Sequence, residues 1–198
     1  MLFRSVEAAA EGALSAIFCN AGQVCSAGSR LVVSRAIHAD LMQRLLAKTG
    51  GLTLGHGLRN PQMGPLNSEL HLSRVKAHVD RARERGAAIV CGGNVTQDPV
   101  SGGGFFFEPT IIDNLPTTDP AVQQEIFGPV LAVQVVDSDA EALAAANGTE
   151  YGLIAGVYSR DIGRALRLAR DLDAGQVSIN EYWAGGVEVP FEIGRAHV

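Results

Sequence analysis

The chain contains, at residues 18–30, the run Phe18-Cys19-Asn20-Ala21-Gly22-Gln23-Val24-Cys25-Ser26-Ala27-Gly28-Ser29-Arg30. This run places Cys25 in a loop of small residues, just ahead of the β-branched segment 31–33. A thiol in such a loop is accessible and has free backbone N–H groups beside it. A nucleophile that attacks a carbonyl needs both, because the resulting oxyanion must be stabilised. The run therefore predicts a nucleophilic Cys25, although a cysteine among small residues is more often a buried packing residue.

The same loop holds Asn20 and Gln23, which are predicted to support its shape through hydrogen bonds to the backbone. Cys19, at a helix end, and Cys91, at the end of an apolar segment, lack this setting and are predicted to be structural. Three cysteines without a disulfide spacing indicate a reducing, cytoplasmic setting. The three cysteines and five histidines show no metal-ligand spacing, so no metal site is predicted.

Helical and apolar extended segments alternate along the chain, a pattern that predicts an α/β fold with a largely parallel sheet flanked by helices. Helices are predicted at 6–17, 37–48, 67–85, 140–146 and 162–172, and extended segments at 30–33, 87–91, 105–112 (broken by Pro109), 130–136, 153–158 and 176–180. Asn67 or Ser68 is predicted to cap the third helix and Ser138 the fourth, and Gly86 is a predicted helix stop. His71 and Arg74, on the third predicted helix, are expected on a solvated face, although a position facing a bound ligand is the alternative interpretation.

Composition excludes several classes of protein. A formal net charge of −5 with no basic patch argues against a nucleic-acid partner. No apolar run approaches the roughly 20 residues needed to span a bilayer, so no membrane association is expected. The segment from Met1 to Arg4 is too short to form a signal peptide, and the acidic residues Glu7 and Glu11 follow it closely. With 198 residues, the chain is one large domain or a piece of a larger protein.

Residues 18–27 resemble the cysteine signature of the NAD(P)-dependent aldehyde dehydrogenase superfamily. The segment Glu125-Ile126-Phe127-Gly128-Pro129-Val130 is similar to the second signature of that family, and weaker matches follow in register at 151–153, 175–180 and 189–191. The resemblance runs from about Val6 to Phe191. It implies a truncated fold of the aldehyde dehydrogenase catalytic-domain type, with residues 1–191 as the partial domain.

The resemblance also implies roles for individual residues. Cys25 would attack the aldehyde to form a thiohemiacetal and then a thioester, with NAD or NADP as cofactor and water or coenzyme A as acyl acceptor. Its backbone N–H would donate to the oxyanion. Glu125 would hold the nicotinamide ribose, because a carboxylate accepts two hydrogen bonds at once. Phe127 would lie near the nicotinamide ring, and a core aromatic is an equally weighted interpretation.

Asn180, Trp183 and Phe191 are predicted to line the pocket for the small-molecule aldehyde, together with Tyr182. Phe191 matches the family's aromatic residue after proline. Trp183 and Tyr182 could form a cage for a cationic aldehyde through cation–π contact. Packing at a rim or interface is the favoured interpretation, because such aromatic contacts are common without a ligand.

The family's general base, second oxyanion donor and most of its cofactor site are expected ahead of residue 1, so the chain alone is predicted to be inactive. The full-length protein is expected to be a homodimer or homotetramer. One choice of codons for residues 192–198 spells a common sequencing adapter, so this tail is predicted to be non-native. Three alternatives stay open: a non-catalytic oligomerisation or regulatory fragment, a coenzyme A-acylating semialdehyde dehydrogenase, and acyl transfer by Cys25 alone.

Overall fold

The computed structural model describes residues 6–183 and Gly185. The helices are α1 (Val6–Phe18), α2 (Arg35–Gly50), α3 (Glu69–Glu84), α4 (Pro120–Gln123), α5 (Asp139–Asn147) and α6 (Ile162–Asp171), with 3-10 turns at Cys19–Gly22 and Gly57–Arg59. The strands are β1 (Arg30–Ser34), β2 (Ala88–Cys91), β3 (Val95–Thr96), β4 (Phe106–Phe107), β5 (Thr110–Asp113), β6 (Val130–Val136), β7 (Ile154–Val157) and β8 (Gln176–Ile179).

Four strands form a mixed sheet in the order β1-β6-β5-β2. Strand β6 pairs in parallel with β1 and β5, whereas β2 is antiparallel to β5 at the edge. Two smaller sheets pair β3 with β4 antiparallel and β7 with β8 in parallel. The predicted α/β fold is confirmed. The antiparallel edge arises because a loop and a hairpin, with no crossover helix, join β2 to β5.

The hydrophobic core lies on both faces of β6, where Val130, Leu131 and Val133 are at most 1% exposed. Helix α3 contributes Val75 and Val79, which are fully buried. A strand covered on both faces is expected to be apolar without alternation, which explains why every residue of β6 except Gln134 is apolar. In the described part of the chain, no helix combines the length and apolar character needed to cross a membrane.

Local signals set most element boundaries. Ser68 Oγ accepts a hydrogen bond from the His71 N–H, and Ser138 Oγ accepts one from the Glu141 N–H, so both predicted N-caps are confirmed. After α3 the chain turns at Gly86, whose φ is +83°. The predicted helix 37–48 begins two residues earlier, directly after β1. Helix α4 is an element that the sequence analysis does not contain.

Candidate active site

The loop that carries Cys25 begins with an unusual turn. Asn20, Ala21 and Gly22 have φ of 52°, 54° and 69°, so three consecutive residues are left-handed. Asparagine and glycine tolerate the left-handed conformation. Alanine is the smallest residue for which this conformation has a steric cost. At Gly22 an added Cβ would overlap the backbone carbonyl of Gly128. The turn therefore presses the Cys25 loop against the backbone of the segment that follows Glu125.

Gln23 fastens the loop to the chain that leads into α3. Its Nε2 donates to the Pro65 carbonyl at 3.2 Å, and its Oε1 accepts from the Asn67 N–H at 3.0 Å. Asn20 Nδ2 donates to the Gln23 carbonyl at 3.2 Å, within the turn itself. The two residues predicted to support the loop thus hold it in different ways, one internally and one across the fold.

Cys25 is exposed and lies on a cavity of about 560 Å³. Its backbone N–H makes no hydrogen bond to another residue of 6–183. The neighbouring backbone is anchored, because the Gly28 N–H donates to the Ala16 carbonyl at 2.9 Å. Tyr182 Oη donates to the Ser26 carbonyl at 2.9 Å. A free thiol and a free N–H therefore stand on a fixed loop.

Glu125 and Phe127 line the same cavity as Cys25. Both are exposed, and Ile126 between them is buried. Phe127 has φ of 56°, a region that bulky residues rarely adopt and that persists only where surrounding contacts enforce it. Within the described residues, Glu125 makes no hydrogen bond or ion pair. The cavity thus combines a thiol, a free carboxylate and an exposed aromatic ring.

His71 and Gly128 enforce the conformation of Phe127. His71 Nε2–H donates to the Phe127 carbonyl at 2.7 Å, and the two rings are T-shaped with centroids 6.2 Å apart. Gly128 packs so closely on Val75 that an added Cβ would lie 2.6 Å from that side chain. The expectation that His71 lies on a merely solvated helix face is wrong, since it contacts the candidate cofactor segment. The sequence carries no local signal for this contact.

Asn180 and Trp183 are placed by other contacts. Asn180 Oδ1 accepts from the Ser159 N–H, and its Nδ2 donates to the Ser159 carbonyl, both at 3.0 Å. Trp183 Nε1 donates to Ser15 Oγ at 3.0 Å. Among the described residues, neither side chain lines the cavity that holds Cys25. Their role in a substrate pocket stays a prediction, as does that of Phe191, which lies outside the described residues.

The other two cysteines differ from Cys25. Cys19 is also exposed, but it is not among the described residues that line the cavity. Partial burial, and secondarily the charge of Glu108, raise the pKa of the Cys91 thiol. Cys91 is therefore a poorer nucleophile at neutral pH than a cysteine whose pKa is not raised. Across residues 6–183, no group of three or more His, Cys, Asp or Glu side chains could hold a metal ion.

Residues 4–194 match the sequence model of the Aldehyde dehydrogenase family, and the chain belongs to that family. It is 40% identical over 189 residues to 4-trimethylaminobutyraldehyde dehydrogenase A of Danio rerio, a match that covers 94% of this chain and 37% of that protein. It is 41% identical over 187 residues to betaine aldehyde dehydrogenase of Bacillus subtilis (strain 168), covering 94% and 38%. The chain thus spans 37% to 38% of the length of these curated relatives.

The fold is also similar to solved structures. The betaine aldehyde dehydrogenase of Staphylococcus aureus in complex with NAD+ superposes with a TM-score of 0.91 at 37% identity, covering 96% of this chain and 38% of that one. A second structure of that enzyme, a point mutant in complex with NAD+, carries a BME-modified cysteine. These similarities extend over nearly the whole chain, so the fold described above is that of the family.

Proposed function

We propose that this chain is the catalytic part of an NAD(P)-dependent aldehyde dehydrogenase and acts within a longer polypeptide, with Cys25 as the nucleophile. One observation carries the proposal: the exposed Cys25 shares its cavity with the free Glu125 carboxylate and the Phe127 ring. The limited share of the relatives' length that the chain spans supports a longer working protein. The three free cysteines fit a reducing cytoplasm, which we also propose.

The chemistry that Cys25 performs follows from its surroundings. Its thiolate attacks the aldehyde carbon, a C–S bond forms, and the carbonyl oxygen becomes an alkoxide. The free Cys25 N–H is a donor for that alkoxide. When the alkoxide re-forms a carbonyl, the carbon loses its hydrogen together with the two bonding electrons. Cys25 then carries a thioester. Attack on the thioester by water or coenzyme A releases the acyl group and returns the thiolate.

The residues on the cavity fit a nicotinamide dinucleotide. Such a dinucleotide, when bound, is the oxidant that accepts the aldehyde's hydrogen with its two electrons. Glu125 accepts hydrogen bonds from ribose hydroxyls in this proposal, and its exposed carboxylate, which has no partner among the described residues, supports that role. The ring of Phe127, 38% exposed, offers a flat apolar surface to a nicotinamide. The NAD+ complex of the Staphylococcus aureus relative supports this assignment.

Glu125→Gln is expected to weaken dinucleotide binding about tenfold, because an amide loses the charge and one of the two acceptor oxygens. The measurement is a fluorescence titration with NAD+ in the longer protein described below. Glu84→Gln, on the exposed end of α3 and off the cavity lining, is the matched control and should bind as wild type. An unchanged dissociation constant for Glu125→Gln would count against its role.

The substrate class follows from the relatives. Two of them are named for betaine aldehyde and 4-trimethylaminobutyraldehyde. We therefore propose a small aldehyde as substrate and a trimethylammonium aldehyde as the first to test. The rings of Trp183 and Tyr182 meet edge to face, with centroids 5.2 Å apart and an interplanar angle of 83°. This geometry favours packing between the two rings and not a cage around a cation.

An assay for NADH tests the function as a whole. With betaine aldehyde and NAD+, the purified 198-residue chain is expected to form no NADH. A chimera in which the Bacillus subtilis relative supplies the remaining length is expected to form NADH and to sediment as a homodimer or homotetramer. NADH from the chain alone would contradict the requirement for a longer protein. A folded but inactive chimera would favour the non-catalytic alternative.

A further inference from the structure

Hydrogen bonds from two distant parts of the chain bracket Cys25. Gln23, two residues before it, is tied to Pro65 and Asn67. On the other side, the Ser26 carbonyl accepts a hydrogen bond of 2.9 Å from Tyr182 Oη. The first restraint comes from the chain that leads into α3, and the second comes from the segment after β8. Cys25 therefore lies between two restraints that originate in different parts of the fold.

The Tyr182 ring has little freedom to move. It is 8% exposed and packs where two glycines make room for it. An added Cβ at Gly28 would lie 3.2 Å from the ring, and one at Gly156 would lie 2.9 Å from it. The Trp183 ring closes a further side in T-shaped contact. The hydroxyl is thus held toward one acceptor, the carbonyl of Ser26.

The donor is also permanent over the working range of pH. Burial raises the pKa of the Tyr182 phenol, so its oxygen keeps the proton that it donates. The acceptor is buried as well, because Ser26 is 8% exposed. Loss of the hydroxyl would leave the Ser26 carbonyl without this partner in a site that water reaches poorly, which is costly. The Ser26–Ala27 peptide would then be held through its N–H alone, which donates to the Val24 carbonyl at 2.9 Å.

We propose that Tyr182 is a positioning residue that holds Cys25 in its reactive orientation through the Ser26 carbonyl. The proposal rests on the function proposed above for Cys25. Tyr182 lines the same cavity as Cys25, as predicted, and the role proposed here belongs to its hydroxyl, which is directed at the loop. The packing of the Tyr182 ring against Gly28 and Gly156 fixes the side chain, and the hydroxyl restrains the Cys25 loop.

The test is Tyr182→Phe in the full chain, which removes one oxygen and keeps the ring. Iodoacetamide alkylation of each cysteine is followed by peptide mass spectrometry across neutral to alkaline pH. We expect Cys25 to react about three- to tenfold more slowly than in wild type, the change that one lost hydrogen bond supports. The pH profile of Cys25 is expected to move, while those of Cys19 and Cys91 superimpose on wild type.

Tyr151→Phe is the matched control. Tyr151 lines the same cavity and is 43% exposed, but its hydroxyl makes no hydrogen bond to another described residue, so this variant removes a tyrosine hydroxyl without releasing the Cys25 loop. This variant should leave all three thiols unchanged. If Cys25 is not the most reactive thiol in wild type, the proposed function fails. If it is, and Tyr182→Phe alters nothing or alters all three thiols equally, only the role of Tyr182 is overturned.

Should Tyr182→Phe fail to fold, Gly28→Ala carries the same test. Its Cβ would press on the Tyr182 ring and lie 2.7 Å from the Ala16 Cβ, so the ring and the loop must shift apart. Slower alkylation of Cys25 alone is expected again. A Cys25 profile identical to wild type in this variant would overturn the proposal.

Discussion

Cys25→Ser is expected to lower aldehyde oxidation by on the order of 10³-fold or more in the chimera, the scale typical of losing a catalytic nucleophile. A serine hydroxyl stays protonated at neutral pH and attacks a carbonyl far more weakly than a thiolate. The substitution changes one atom in an exposed side chain, so the loop should keep its fold. The measurement is the rate of NADH formation with saturating betaine aldehyde and NAD+.

Cys19→Ser is the matched control for that experiment. Cys19 lies six residues earlier, is also exposed, and is not among the described residues that line the cavity. This variant should oxidise the aldehyde at close to the wild-type rate. Activity retained by Cys25→Ser, or lost equally by Cys19→Ser, would refute the assignment of the nucleophile.

Gly22→Ala is expected to lower the free energy of unfolding of the chain by about 2–4 kcal/mol, from a left-handed alanine and an overpacked contact together. Gly22 has φ of 69°, and the new Cβ would overlap the Gly128 carbonyl, a backbone atom that cannot rotate away. The Cys25 loop and the Phe127 segment must separate to relieve the overlap. Urea unfolding of the chain measures the change.

Gly50→Ala is the control for the glycine substitution. Gly50 ends α2 in open space, with nothing within 4 Å of an added Cβ. This variant should be neutral or slightly stabilising, because alanine restricts the unfolded chain more than glycine does. If Gly22→Ala unfolds at the same urea concentration as Gly50→Ala, the close packing of the two segments is not a source of stability.

Features with a local cause could be predicted from the sequence. The side chains of Ser68 and Ser138 cap helices within three residues, and the first five residues of β6 form one buried run in the sequence. The sequence does contain a local signal for α4. Asp119 followed by Pro120 is a typical N-cap and first helical residue, and Asp119 does accept from the Ala121 N–H.

The contacts that shape the site could not be predicted, because each joins residues far apart in the chain. Gln23 meets Asn67 across 44 positions, His71 meets Phe127 across 56, and Tyr182 meets Ser26 across 156. No periodicity or cap encodes such pairs. The sequence predicts which residues carry chemistry, whereas the tertiary fold determines which residues hold them.

Selective labelling of Cys25 tests the central claim most directly. The folded chain is treated with a limiting amount of an aldehyde-mimicking electrophile, a small chloromethyl ketone, and the adduct is located by peptide mass spectrometry. A tuned nucleophile on a fixed loop predicts one adduct, on Cys25, in the folded chain, and adducts spread over all three cysteines when the chain is unfolded in urea before labelling. Equal labelling of Cys19, Cys25 and Cys91 in the folded chain would contradict the claim that Cys25 is the nucleophile.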